Sequence, residues 1–214
     1  IGFFDGLLDT CARSPSTLQT LLRGLLMRVT LASSSPRRQE LLSLLLPDFD
    51  TAIPDIDETP HAGEQPIHFV ARLAAEKSRA CAAAERVCLG ADTTVVLDDQ
   101  ILGKPSDNEA ARHMLRSLSD RVHEVHTAIA MTHAGQVHTR VSSTAVTFTQ
   151  LSDAAIDAYL LSEEPWDKAG GYGIQGYAGA FVSRISGSYS AVVGLPLCET
   201  RDLLLSAGVK VRHD

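Results

Sequence analysis

Leu31-Ala32-Ser33-Ser34-Ser35-Pro36-Arg37-Arg38-Gln39-Glu40-Leu41-Leu42 reads as the end of a strand, a serine turn and the start of a helix. Residues Val29-Thr30-Leu31-Ala32 supply the strand. Ser35 followed by Pro36 supplies the helix start, with serine as cap and proline at the first helical position. Arg37 and Arg38 then fall in the first turn, where the backbone dipole already places partial positive charge. Two cations there are unfavourable unless an anion joins them. Free amides, serine hydroxyls and two guanidinium forks converging on one spot describe a phosphate site. The competing reading is two arginines in solvent or paired with nearby acids.

Working outward, strand-like and helix-like patterns alternate along most of the chain, which predicts an α/β protein. A helix is expected over 36–45, an acidic loop over 54–58 and a long helix over about 66–84. A hairpin follows, with strands 87–97 and 100–102 around an Asp98-Asp99 turn. Ser106-Asp107-Asn108-Glu109 opens the next helix as a capping box. Residues 122–131 and 136–149 predict an antiparallel pair, 152–161 a helix, 168–179 a glycine-rich loop, 181–185 a strand and the residues after Pro196 a last helix. Met27 resembles a natural start because the first strand begins directly after it. Residues 1–26 are therefore expected to be an extension of unknown role, and residues 27–214 a single domain.

With 214 residues the chain can bury one core, or two small lobes around a cleft. A net charge of -7 argues against a general nucleic-acid binder but permits a small anion held by a few focused cations. The four cysteines form no CxxC pair and suggest buried thiols in a reducing, cytoplasmic setting. No apolar run is long enough to span a bilayer, so no membrane contact is expected. His123, His126, His133 and His138 lack metal-ligand spacing and are expected to face solvent from strands.

Three charged residues stand out. Lys77 falls inside the apolar stripe of its helix, where it needs an anion or a path to water for its amine. Asp92 interrupts the apolar run Cys88-Leu89-Gly90-Ala91-Asp92-Thr93-Thr94-Val95-Val96-Leu97, a position where a carboxylate is held for chemistry, for metal or by a structural hydrogen bond. Gly90 and Ala91 leave room for something to approach the backbone. Lys104, before Pro105, is aimed into a cleft or is an exposed turn lysine. The loop Lys168-Ala169-Gly170-Gly171-Tyr172-Gly173-Ile174-Gln175-Gly176 matches neither a P-loop nor a dinucleotide fingerprint; Tyr172 and Gln175 offer stacking and amide readout.

Together, LASSSPRR, DIDET, AAEKSRA, LGADTTVV, GKP, HTAIA, KAGGYGIQG and ISGSYSAVVGLPL, in this order, resemble the Maf family of nucleoside triphosphate pyrophosphatases. The resemblance implies a mixed twisted sheet flanked by helices, in two lobes around a deep cleft, like inosine triphosphatase. It implies hydrolysis between the α and β phosphates, a divalent cation (magnesium or manganese) and a homodimer. Position by position, it makes Asp92 the general base, with Glu58 and Asp92 toward the metal. It places Ser33, Arg37, Arg38, Glu58, Lys77 and Lys104 around the phosphates and metal, with Lys77 and Glu58 joining Asp92 in the catalytic set, and links Arg37, Thr93 and Gln175 to substrate choice. GYGIQG resembles the branch that prefers dTTP and UTP. A sister branch acts on 7-methyl-GTP, and a non-catalytic nucleotide-binding regulator is the alternative outside enzymes. Ala128 departs from the family, which often has glycine there.

Overall fold

The structure, a computed structural model, describes residues 27–162 and 164–212. The extension expected over residues 1–26 lies outside them. The chain forms strands β1 (Arg28–Ala32), β2 (Asp50–Ala52), β3 (Arg86–Leu97), β4 (Gln100–Leu102), β5 (Val122–His133), β6 (Gln136–Phe148) and β7 (Val182–Ser186). Helices α1 (Pro36–Leu45), α2 (Pro66–Ala80), α3 (Asn108–Leu118), α4 (Asp153–Leu160), α5 (Tyr189–Val193) and α6 (Leu197–Ser206) flank them. The strands make one mixed seven-stranded sheet in the order β2-β1-β3-β5-β6-β7, with β4 paired to the end of β3. β1 is parallel to β2 and β3, and the remaining pairs are antiparallel.

The expected elements form with small shifts at their ends. The hairpin turns use left-handed residues, Asp98 and Asp99 between β3 and β4 and Ala134 and Gly135 between β5 and β6, the backbone such two-residue turns require. Asp107, not Ser106, caps α3, accepting from Ala110 N at 2.8 Å. Helix α2 stops at Ala80 rather than near residue 84. The alanines that follow are good helix formers, but Arg86 must already sit opposite Arg28 in the sheet, so the chain turns first. Short β2 and α5 carry too few residues to declare a period, and the sequence reading missed both.

The long strands β3 and β5 run through two cores. Leu89, Ala91, Ile129 and Met131 pack with Leu42 of α1 and Leu203 and Leu204 of α6. Further along the same strands, Val95, Leu97 and Val125 pack with Leu115, Ile156, Phe148 and Tyr172. Helix α2 covers the opposite face through Val70, Leu73 and Ala74 against Ala128 and Ala130.

One edge of β3 changes partner partway. β1 pairs with it as far as Gly90, and β4 takes over from Val95. Residues 91–94 therefore have no strand partner on that edge among the described residues. This gap lies beyond the carboxyl end of a parallel strand, where open α/β sheets place ligands. It is the floor of a cleft of about 840 Å³.

Candidate functional site

Alternation along β3 sends Asp92 toward α2 and Thr93 toward α1. Both line the cleft, as do Ser33, Arg37, Arg38, Glu58, Lys77, Lys104 and Gln175. The sequence-predicted residues thus meet in one place. Ser33 arrives from the end of β1 and Lys104 from the end of β4, on the two sides of the gap.

Gly90 explains how Lys77 reaches Asp92. A Cβ at Gly90 would lie 2.3 Å from the Ala74 carbonyl oxygen and 2.4 Å from the Ser78 amide. The approach allowed for in the sequence is made by helix α2 itself. That contact sets Lys77, only 6% exposed, beside Asp92, 7% exposed. Lys77 Nζ donates to Asp92 Oδ1 at 2.7 Å and meets Glu58 Oε1 at 2.8 Å. One buried ammonium thus joins a buried carboxylate to one that is largely exposed. Burial pushes the Asp92 carboxyl above the ordinary carboxylate range, and the charges of Lys77 and Arg38 pull against that rise.

On the other face, Ser35 caps α1 by accepting from Arg38 N. The two arginines of that turn diverge. Arg38 points inward: Nε donates to the Gly194 carbonyl at 2.9 Å, one terminal nitrogen to Ser33 Oγ at 3.4 Å and the other to Thr93 Oγ1 at 3.3 Å. Burial lowers its pKa. Thr127 steadies the arrangement, donating to the Ala191 carbonyl at 2.7 Å and lying 3.1 Å from Thr93 Oγ1. Arg37 points to the mouth of the cleft and pairs with Asp167 at 3.0 Å. Asp167 also accepts from Lys168, whose amine donates in addition to the Glu164 carbonyl at 2.6 Å. Partial burial pushes the Asp167 carboxyl up, but the hydrogen bonds from Lys168 and Arg37 outweigh it and hold the group below its usual range.

The glycine-rich loop departs from expectation at Tyr172. Its ring is buried against Phe148 and its hydroxyl lies 2.7 Å from His123 Nε2, so it anchors the loop and is not free to stack on a ligand. Gly170 and Gly171 both take positive φ, and the Gly170 amide donates to the Gly103 carbonyl at 2.9 Å, tying the loop to the end of β4. Glu164, which the sequence did not flag, accepts from the amides of Tyr177 at 2.8 Å and Ala178 at 3.3 Å and from the Tyr159 hydroxyl at 3.2 Å. Gln175 remains exposed in the cleft wall.

His123 and His126 correct a second expectation. They are 2% and 4% exposed, not solvent-facing. Val122 and Glu124 point out while His123 and Val125 point in, so strand alternation was the available signal for His123; His126 shares the side of Glu124 and is covered because β5 is buried on both faces from Val125 to Thr132. Among the described residues no group of three His, Cys, Asp or Glu side chains is placed to hold a metal ion. No described helix is long and apolar enough to cross a membrane. Cys88 is buried, Cys81 half-buried and Cys198 exposed, all as free thiols; burial pushes the Cys88 thiol up to about 12.

The model of the family described as "Maf-like protein" matches residues 28–207. The chain belongs to the Maf family. It is 53% identical over 194 residues to a protein named dTTP/UTP pyrophosphatase from Shewanella sp. (strain MR-7), covering 86% of this chain and all of that relative. A relative of the same name from Vibrio parahaemolyticus is 49% identical, covering 83% of this chain and 96% of its own. One from Chromobacterium violaceum is 46% identical, covering 86% and 96%. A solved structure of a HAM1 protein from Coxiella burnetii aligns with TM-score 0.41 and 18% identity, over 59% of this chain and 75% of that one.

Proposed function

We propose that this Maf-family chain is a nucleoside triphosphate pyrophosphatase that hydrolyses dTTP and UTP to the monophosphate and pyrophosphate. The observation that carries the reading is Lys77, buried and bridging Asp92 and Glu58 in a cleft that also holds Arg37, Arg38 and Lys104. The names of the relatives support the substrate and the reaction.

In this reading Ser33, Arg37, Arg38 and Lys104 take the phosphate oxygens, and Thr93 and Gln175 set substrate choice. Water attacks phosphorus, the α–β anhydride bond breaks, and its electron pair leaves with pyrophosphate. Asp92 accepts the water's proton; burial makes it a stronger base than an exposed carboxylate, while Lys77 and Arg38 favour its ionised form. Lys77 and the arginines stabilise the charge that develops on the phosphates.

Glu58 and Asp92 are hard oxygen donors within reach of the same nitrogen, a set that suits a magnesium or manganese ion already shared with a triphosphate. Such an ion, held by these two residues, would neutralise phosphate charge and polarise the scissile bond. We also propose a homodimer, a cytoplasmic location and a single domain over residues 27–214; sedimentation, cell fractionation and limited proteolysis test these.

Pyrophosphate release should be measured side by side on dTTP, UTP, CTP and 7-methyl-GTP. Turnover should favour dTTP and UTP. Asp92→Asn should keep its fold and nucleotide binding but lose on the order of 10²- to 10⁴-fold in turnover, the usual contribution of a general base. Undiminished turnover by Asp92→Asn, or a preference for 7-methyl-GTP, would refute the assignment.

A further inference from the structure

Arg37, Asp167 and Lys168 form a charged cluster at the mouth of the cleft; Arg37 already serves the phosphates in the proposed chemistry, while Asp167 and Lys168 have no part in it. Arg37 rises from α1, beside the first core. Asp167 and Lys168 lie on the loop that follows α4, beside the second. The Arg37–Asp167 pair at 3.0 Å therefore spans the opening between the two cores. Asp167 is 62% exposed at its side chain, yet it occupies two cations that both face the cleft. Lys168 is mostly covered, and the Glu164 carbonyl fixes its amine at 2.6 Å. Two cations held in place with a single exposed carboxylate between them make a preformed anion site carrying its own exchangeable counter-ion.

We propose that Arg37 and Lys168 form a polyphosphate subsite at the cleft mouth, with the Asp167 carboxylate as its resting occupant. This rests on the reading of the cleft as a triphosphate site and adds Lys168 and Asp167 to it. Phosphate oxygens displace Asp167 when substrate enters, and Asp167 competes for the same cations when pyrophosphate leaves. The carboxylate thus weakens binding of substrate and product alike and speeds release of the product. It does so without touching the reacting atoms, which makes Asp167 a positioning residue.

The test is calorimetric titration of inorganic tripolyphosphate, and separately of dTTP, into the full chain in metal-free buffer. Asp167→Asn removes the competing charge and should tighten tripolyphosphate by about two- to five-fold, the range an exposed ion pair provides. The same variant should lower KM for dTTP and strengthen inhibition by pyrophosphate. Lys168→Gln should weaken tripolyphosphate binding, and Lys168→Arg should restore it. A residue serving only the fold would give the opposite sign, because its loss loosens the cleft and weakens binding. If the unaltered chain binds dTTP but Asp167→Asn binds tripolyphosphate no tighter, the subsite is overturned and the triphosphate reading stands. If the unaltered chain binds neither dTTP nor tripolyphosphate, in metal-free buffer or with magnesium added, both fall together.

Discussion

Replacing Lys77 by methionine should cost far more stability than replacing Asp92 by asparagine, although the two share a 2.7 Å contact. The asymmetry follows from what each change leaves behind. In Asp92→Asn, Lys77 keeps Glu58 at 2.8 Å as a counter-ion. In Lys77→Met, Asp92 keeps a side chain only 10% exposed and loses its direct cation. Arg38 remains nearby, but its terminal nitrogens are committed to Ser33 and Thr93, and Glu58 repels the buried charge. Breaking a buried pair on the side that strands a charge costs about 3–5 kcal/mol. Losing one of two partners around a retained cation costs nearer ~1 kcal/mol, the range of a single hydrogen bond.

The stranded carboxylate also changes the pH profile. Asp92 is already raised above the ordinary range, and removing Lys77 raises it further. The folded state then holds a proton that the unfolded state releases, so Lys77→Met should gain stability on acidification and lose it as pH rises through the raised value. Urea unfolding at two pH values, with Lys77→Met, Asp92→Asn and the double variant, measures all of this. Adding Asp92→Asn to Lys77→Met should recover most of the lost stability. If Lys77→Met costs no more than Asp92→Asn, or the second change gives no recovery, the buried charge cluster is not organised as described.

Gly90→Ala should force the backbone of α2 back by about 1 Å to restore ordinary contact with the new Cβ. Overpacking of that kind costs ~1–3 kcal/mol. Turnover should fall well beyond what unfolding explains, because Lys77 moves with the helix; unchanged stability in thermal unfolding would contradict the packing. Burial holds His123 down at about 4, so between pH 6.5 and 4 the unfolded chain takes up a proton that the folded chain refuses. Over that window the chain should lose up to ~3 kcal/mol relative to His123→Gln; parallel pH profiles for the two proteins would show that this histidine is not held neutral.

How much of this was legible depended on whether a residue's role is written in its immediate neighbours. Lys77 and Asp92 were readable because each is a charge set in an apolar pattern, and the cost of burying it demands a partner whatever the fold. The start of α1 was readable because Ser35 and Pro36 act on the next three residues. Asp167 and Glu164 were not, since their neighbours are unremarkable and Asp167 meets Arg37 across 130 residues of chain. The end of α2 was misjudged for a related reason. Its alanines favour helix locally, and only the pairing of Arg86 with Arg28 overrides them. Tyr172 was misread because a tyrosine in a glycine-rich loop looks free until His123 is known to be buried behind it.

The position of the site nevertheless has a cause that can be traced back into the sequence. Strand β3 has β5 along one edge from Cys88 to Val96, while its other edge is shared by β1 and β4. A strand with two successive neighbours on one edge must leave a window between them, and the backbone there lacks a partner from the sheet. Asp92, Thr93 and Thr94 fall within that window, and they are the polar side chains between Gly90 and Leu97. An apolar strand interrupted by an acid and two threonines therefore marks where one neighbour ends and the next begins. The same window admits Ser33 from one side and Lys104 from the other, so a single interruption in the pairing gathers groups from three separate parts of the chain.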